Sequence, residues 1–277
     1  MPSATNTGPD PAVALETVIG DVVMSTDGDT LSGKNITGTL YLAANNLTVV
    51  DVRAHEILVN TTATTGGWSP ARANMTLRRV EAAMVVTNGH KNLVIDHSHF
   101  TGVPGEATMQ VGYWDSGQHK LTNTNSDGLT VTNSLIGGGQ ATTSAKHHEA
   151  LHLMGATHVV LRNNVFDFTP ADKATWEYTT AALYMEIGVT DVPCLDVVID
   201  GNWFFGGGYY QVYFSGQNVK VTNNQFHSYS IEGEVHSFAG PVFPPSSNPA
   251  GTWWKLVDTR GNTLNGKPVV LDNPRDH

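Results

Sequence analysis

The sequence predicts an all-β, single-domain solenoid, and three observations predict it. A short pattern of alternating apolar residues closed by Asn or Asp recurs along most of the chain. No stretch carries a sustained helical period of apolar residues, which argues against alternating strand–helix units. The copies are spaced irregularly above a floor of roughly 20 residues: Met75 and Leu93 lie 18 apart, Val197 and Val219 22, and Val159 and Val197 38. A fixed coil that accepts surface insertions gives such spacing, because each repeat of a solenoid touches only its neighbours.

The copies run over 46–51, 74–80, 92–96, 128–133, 158–166, 196–204 and 218–226. Each reads as a short strand, a tight polar bend and the start of a second strand. Asn suits the bend because it tolerates left-handed backbone angles and its amide can bond to an Asn in the next coil. On this alignment Trp203 falls at the core position of its coil. A second row of strands precedes these segments at 107–112, 150–155, 182–188 and 211–216, each ending in Gly, so a coil has three sides. One domain then covers 1–277, with caps over about 1–30 and about 240–277, and Trp253 and Trp254 close the C-terminal end.

Composition narrows the function classes. The 277 residues carry 15 Lys+Arg against 25 Asp+Glu, a net charge of −10. A nucleic-acid backbone demands clustered cations, so no nucleic-acid partner is expected, and a neutral glycan suits this charge better than a polyanion. A single cysteine, Cys194, excludes a disulfide framework and any Cys-rich metal site. There is no run of 18 apolar residues, so no membrane insertion is expected. The polar opening MPSATNTGPDP lacks a signal-peptide pattern, which fits a mature secreted domain or a virion component.

Insertions in a solenoid gather on the binding face. Here they flank the second row: 137–148 and 169–180 before it, 113–127 and 189–196 after it. They would wall a groove whose floor is that row. With Leu151 and Leu153 inward, alternation turns His148, Ala150 and His152 to the floor. Tyr184 and Glu186, then Gln211 and Tyr213, follow on the next coils, and Gln110 precedes them.

Lys146–His152 is the densest titratable cluster in the chain and supplies acid–base candidates in His148, Glu149 and His152, with Tyr184 close by. Glu149 or Asp115 with Glu186 would make a carboxylate pair of the kind glycosidases use. Trp114 and Trp176, in inserted loops, are candidate sugar platforms, with Glu177 as a further contact. No metal ligand set and no cofactor motif is found.

These coils resemble the right-handed parallel β-helix of the pectate-lyase-like superfamily over roughly residues 30 to 265. Among its members the chain looks most like single-domain β-helix proteins of actinobacterial secretomes and phage tails, which share counterparts of Ala4–Gly8 and of the strand pair Leu31–Leu42. The resemblance implies a polysaccharide ligand, an extracellular or virion-associated setting, and a trimer if the chain is a tail component. It carries over no catalytic residue. The calcium-binding Asp cluster and groove-floor Arg or Lys of pectate lyases have no counterpart, and Asn88-Gly89-His90-Lys91 does not match the polygalacturonase motifs. Three readings follow: a glycoside hydrolase using Glu149 and Glu186 with a nearby His, a lyase or epimerase using His152 and a Tyr, and a non-catalytic glycan-binding module.

Overall fold

The computed structural model describes residues 1–59, 71–87, 89–103, 106–115, 120–122, 126–137, 148–169, 179–186, 193–206, 210–213, 216–231, 234–236, 242–243 and 256–271. Among them there is no helix, and almost every strand pairs in parallel with the strand one coil earlier and one coil later. The architecture is all-β with a mostly parallel sheet, consistent with a β-solenoid.

Two left-handed residues, five apart, shape most coils. The first stands at Asn46, Asn74, Asn92, Gly128, His158, Asp196 and Asn218, and the second at Asp51, Arg79, His97, Asn133, Asn163, Gly201 and Asn223. Between them runs the first strand row, including His90–Asp96, Asp127–Thr132, Thr157–Arg162, Cys194–Asp200 and Gly216–Thr222. After the second bend comes the second row: His99–Phe100, Leu135–Gly137, Val165–Phe168, Trp203–Gly206 and Gln225–His227. The third row, which is the groove-floor row expected at 107–112, 150–155, 182–188 and 211–216, holds Met109–Val111, His148–Met154, Thr179–Glu186, Tyr210–Tyr213 and Val242–Phe243.

The residue after each second bend points inward: it is Val52 and Val80 in the first two of these coils, and from Ser98 onward it builds a polar ladder. Asn164, Asn202, Asn224 and Asn262 are buried, and the Oδ1 of each of the last three accepts the backbone N–H of the preceding rung at 2.9 Å. Ser98 and Ser134 continue it, with the Ser98 N–H donating to Ser134 Oγ at 3.0 Å and Ser134 N–H to Asn164 Oδ1 at 3.0 Å. Each Asn amide also donates to a backbone carbonyl, such as Asn202 Nδ2 to Leu161 O at 2.9 Å, so the corner's buried polar groups are satisfied. Two residues on, Phe166, Phe204 and Phe226 stack at ring distances of 4.9 and 5.2 Å. The core position of this coil is therefore Phe204. Trp203 faces outward between Val165 and Gln225, a correction to its expected inward place, because the inward Asn202 already occupies one step of the alternation.

Outside the coil, carboxylates fasten the second bends. Burial raises the proton affinity of Asp96, but hydrogen bonds from Asn133, Thr132 and His97 outweigh it and hold the carboxyl below its ordinary range. Asn223, Thr222 and Arg162 do the same for Asp200.

The stack begins at Glu16–Val18 and Val22–Met24, which pair with Thr30–Ile36 and Thr39–Leu42, so coil structure reaches into the segment read as an N-terminal cap. Residues 1–15 run down the outside as a strap. Gly8 N–H donates to His97 O at 2.9 Å and Asp10 N–H to Asp51 Oδ1 at 2.9 Å. At the other end, Leu256–Asp258 and Thr263–Leu264 still pair with their rows.

Candidate functional site

Register on the third row decides which side chains meet. One outward line runs Val23, Tyr41, Leu58, Val86, Gln110, His152, Tyr184 and Tyr213, each the parallel partner of the next. Parallel strands stand about 4.8 Å apart, so the line is a continuous stripe over eight coils among the described residues. At its centre the His152 and Tyr184 rings meet edge to face at 5.0 Å, and Tyr184 meets Tyr213 at 4.6 Å. All three are half-buried, and Tyr184 is flanked by both of the others.

Glu149 lies beside this line. Its side chain is 3% exposed, and Oε2 is 3.9 Å from His152 Nδ1, an ion-pair distance when the imidazole carries its second proton. Glu149 shares the inward parity of Leu151 and Leu153, and this alternation carries the carboxylate inward at the strand start. Gln110 closes the line on the other side, its Nε2 donating to Gly112 O at 3.2 Å.

Gly112 sits where the chain leaves the coil. Its φ is +90°, and a Cβ there would stand 2.7 Å from Met154 O, so only glycine makes the exit. Beyond it Tyr113–Asp115 pairs antiparallel with Lys120–Thr122, which places Trp114 opposite Leu121 and Asp115 opposite Lys120 in a hairpin beside the floor.

The structure therefore brings Gln110, Glu149, His152, Tyr184 and Tyr213 together. Glu186 is not the neighbour of His152: it pairs with Met154, two residues beyond Tyr184 along the strand. His148 pairs with Thr179 at the strand start. The side chains of His148, Glu186, Trp114 and Asp115, and all of Trp176 and Glu177, lie outside the described residues. Two floor assignments change. Ala150 is fully buried, and Gln211 is 1% exposed, donating to Phe204 O and His227 O at 3.3 and 2.6 Å. Tyr41, Leu58 and Val86 extend the stripe and were legible in the alternation of Thr39–Leu42 and of the strands above it.

Among the described residues no group of three or more His, Cys, Asp or Glu is placed to hold a metal ion. Cys194 is buried and its thiol is pushed up to about 11 by desolvation, which keeps it protonated and unreactive.

Fold and face together define an all-β, mostly parallel architecture, consistent with a β-solenoid, that presents a polar–aromatic stripe with a buried carboxylate behind its histidine. No protein-family model matches the chain, and neither a curated protein nor a solved structure shows significant similarity to it.

Proposed function

We propose that this protein binds a polysaccharide along the third strand row and that His152 exchanges a proton with the bound chain. The observation that carries the proposal is the ring ladder His152–Tyr184–Tyr213 with Glu149 set 3.9 Å behind His152. Half-buried flat rings suit the apolar parts of successive sugars, and a straight stripe suits a linear polymer. The same reading takes the solenoid as a right-handed β-helix of the pectate-lyase-like kind, in line with the strong right-handed preference of parallel crossovers. It places the protein outside the cell or on a virion, where such polymers are met.

The chemistry this arrangement favours is elimination or epimerisation at a uronate within a weakly charged glycan. His152 takes the proton α to the sugar carboxylate, and the electron pair forms the new double bond as the β-positioned glycosidic oxygen leaves. Tyr184 protonates that oxygen, and Glu149 positions the imidazole. Hydrolysis by paired carboxylates draws less support, since Glu149 is almost enclosed and Glu186 stands opposite Met154 rather than His152.

The test is a panel of neutral and uronate-containing polysaccharides, assayed for binding, for new reducing ends and for unsaturated products. Unsaturated ends that fall by about 10²–10⁴-fold in His152→Ala, with binding kept, support the reading. Reducing ends without unsaturation return the case to hydrolysis. Binding without turnover makes the protein a glycan-binding module, and no binding by any member of the panel overturns the proposal.

A further inference from the structure

We propose that the cleft beneath the N-terminal strap is a second carbohydrate site, one that takes one or two neutral pyranose units. It lies on the second strand row and does not rest on the reading of the third. The cleft has a volume of about 620 Å³, within the range of small-ligand sites. Its walls are apolar and stiff, made by Pro9, Pro11, Val13 and Leu15 of the strap.

Its floor is polar and ordered by the coil register. Asn35 pairs with Arg53 and Arg53 with Glu81, so the three stand in line at about 4.8 Å intervals. Arg53 donates from Nε and Nη2 to the two Glu81 oxygens at 3.0 and 3.1 Å. This fork fixes both groups and leaves carboxylate lone pairs and guanidinium N–H groups still available. The Asn35 amide makes no hydrogen bond among the described residues and is half-buried at the floor. A line of amide, cation and carboxylate offers donors and acceptors to adjacent hydroxyls, while the proline wall covers a sugar's apolar face.

Charge selects against an anion. Asp10 and Glu81 outnumber Arg53 in the lining, and the guanidinium is already engaged by a carboxylate. The cleft is also preformed. The strap is bonded at Gly8 and Asp10 to bends of two different coils, and Gly8 comes so near that a Cβ there would lie 3.4 Å from Glu81 Oε2. Little ordering of the strap is then left to oppose binding.

The experiment is an amide-resolved NMR titration of the full chain with D-glucose, D-galactose, D-mannose and N-acetyl-D-glucosamine, with D-glucuronate as the anionic control. Saturable shifts at Gly8, Asn35 and Arg53 are expected with at least one neutral sugar, and weaker ones with glucuronate. Glu81→Gln and Asn35→Ala should each weaken that sugar about tenfold while melting temperature is kept, the loss of one charged or polar contact. Tyr184→Ala should leave these shifts unchanged, which separates the cleft from the third-row stripe. Absence of strap shifts with all four neutral sugars overturns the proposal. So does a preference for glucuronate, or an affinity untouched in both floor variants.

Discussion

Replacing Asn202 with Ala tests the polar ladder where it is most heavily used. The side chain is fully buried and takes part in four hydrogen bonds. Its Nδ2 donates to Leu161 O at 2.9 Å and Asn224 Oδ1 at 3.0 Å, and its Oδ1 accepts from Asn164 N at 2.9 Å and Asn164 Nδ2 at 3.1 Å. Asn164 Nδ2 keeps Val131 O, but the buried Asn164 N–H is left without its acceptor. An orphaned buried N–H costs about 1–3 kcal/mol and each of the three further lost bonds about 1 kcal/mol, so the sum is about 4–6 kcal/mol. Asn202→Ser should recover about half of that. Ser134 already shows how: its Oγ accepts the Ser98 N–H at 3.0 Å and donates to Thr132 O at 2.8 Å. Urea unfolding followed by far-ultraviolet circular dichroism, with a shared m-value, measures both variants. A loss below about 1 kcal/mol for Ala, or equal losses for Ala and Ser, refutes the ladder as a stabilising device.

Two further perturbations probe the coil. His90 is fully buried, its Nδ1 bonded to Thr87 Oγ1 at 2.8 Å, and desolvation lowers it from 6.5 to about 4 despite the nearby Asp127 charge. The unfolded chain then binds the extra proton first, so stability is full above about pH 6.5 and falls by about 3 kcal/mol as pH drops toward 4. His90→Gln should remove that part of the pH dependence, and identical pH slopes for the two proteins would contradict it. Gly206 has a φ of +74°, and a Cβ there would lie 2.2 Å from the Phe168 carbonyl carbon. Gly206→Ala should therefore cost at least about 3 kcal/mol in the same urea assay, and a neutral result would show that the Phe168–Gly206 crossing is looser than described.

The coil was legible in the sequence because its demands are local. Left-handed bends select Asn, Asp or Gly, and inward positions between them select Leu, Val and Ile, so the pattern 92–96 or 218–226 announces itself. What escaped was set by register and by distance. Ala150 stands on the outward parity of its strand and is nonetheless fully buried, and no residue type near it marks this. Gln211 looks like a surface residue by composition, yet two backbone carbonyls supply its partners from elsewhere in the fold. Counting coils leaves Tyr184 and Glu186 equal candidates for the rung opposite His152, and the pairing shows that it is Tyr184. The strap left no periodic signal, since Gly8 finds its partner at His97, far along the chain. The first strand-row alternation was thus enough for the fold, and only pairing partners could fix the site.

The central claim is that the third-row rings form a glycan platform, and the most direct measurement is the affinity of the best-bound polysaccharide of the panel for a Tyr184→Ala/Tyr213→Ala double variant. Both rings are half-buried on the outer face, so their removal leaves the inward core of Leu151, Leu183 and Val212 intact. The platform predicts a loss of at least about tenfold in affinity with a nearly unchanged melting temperature. Wild-type affinity in the folded double variant would contradict it.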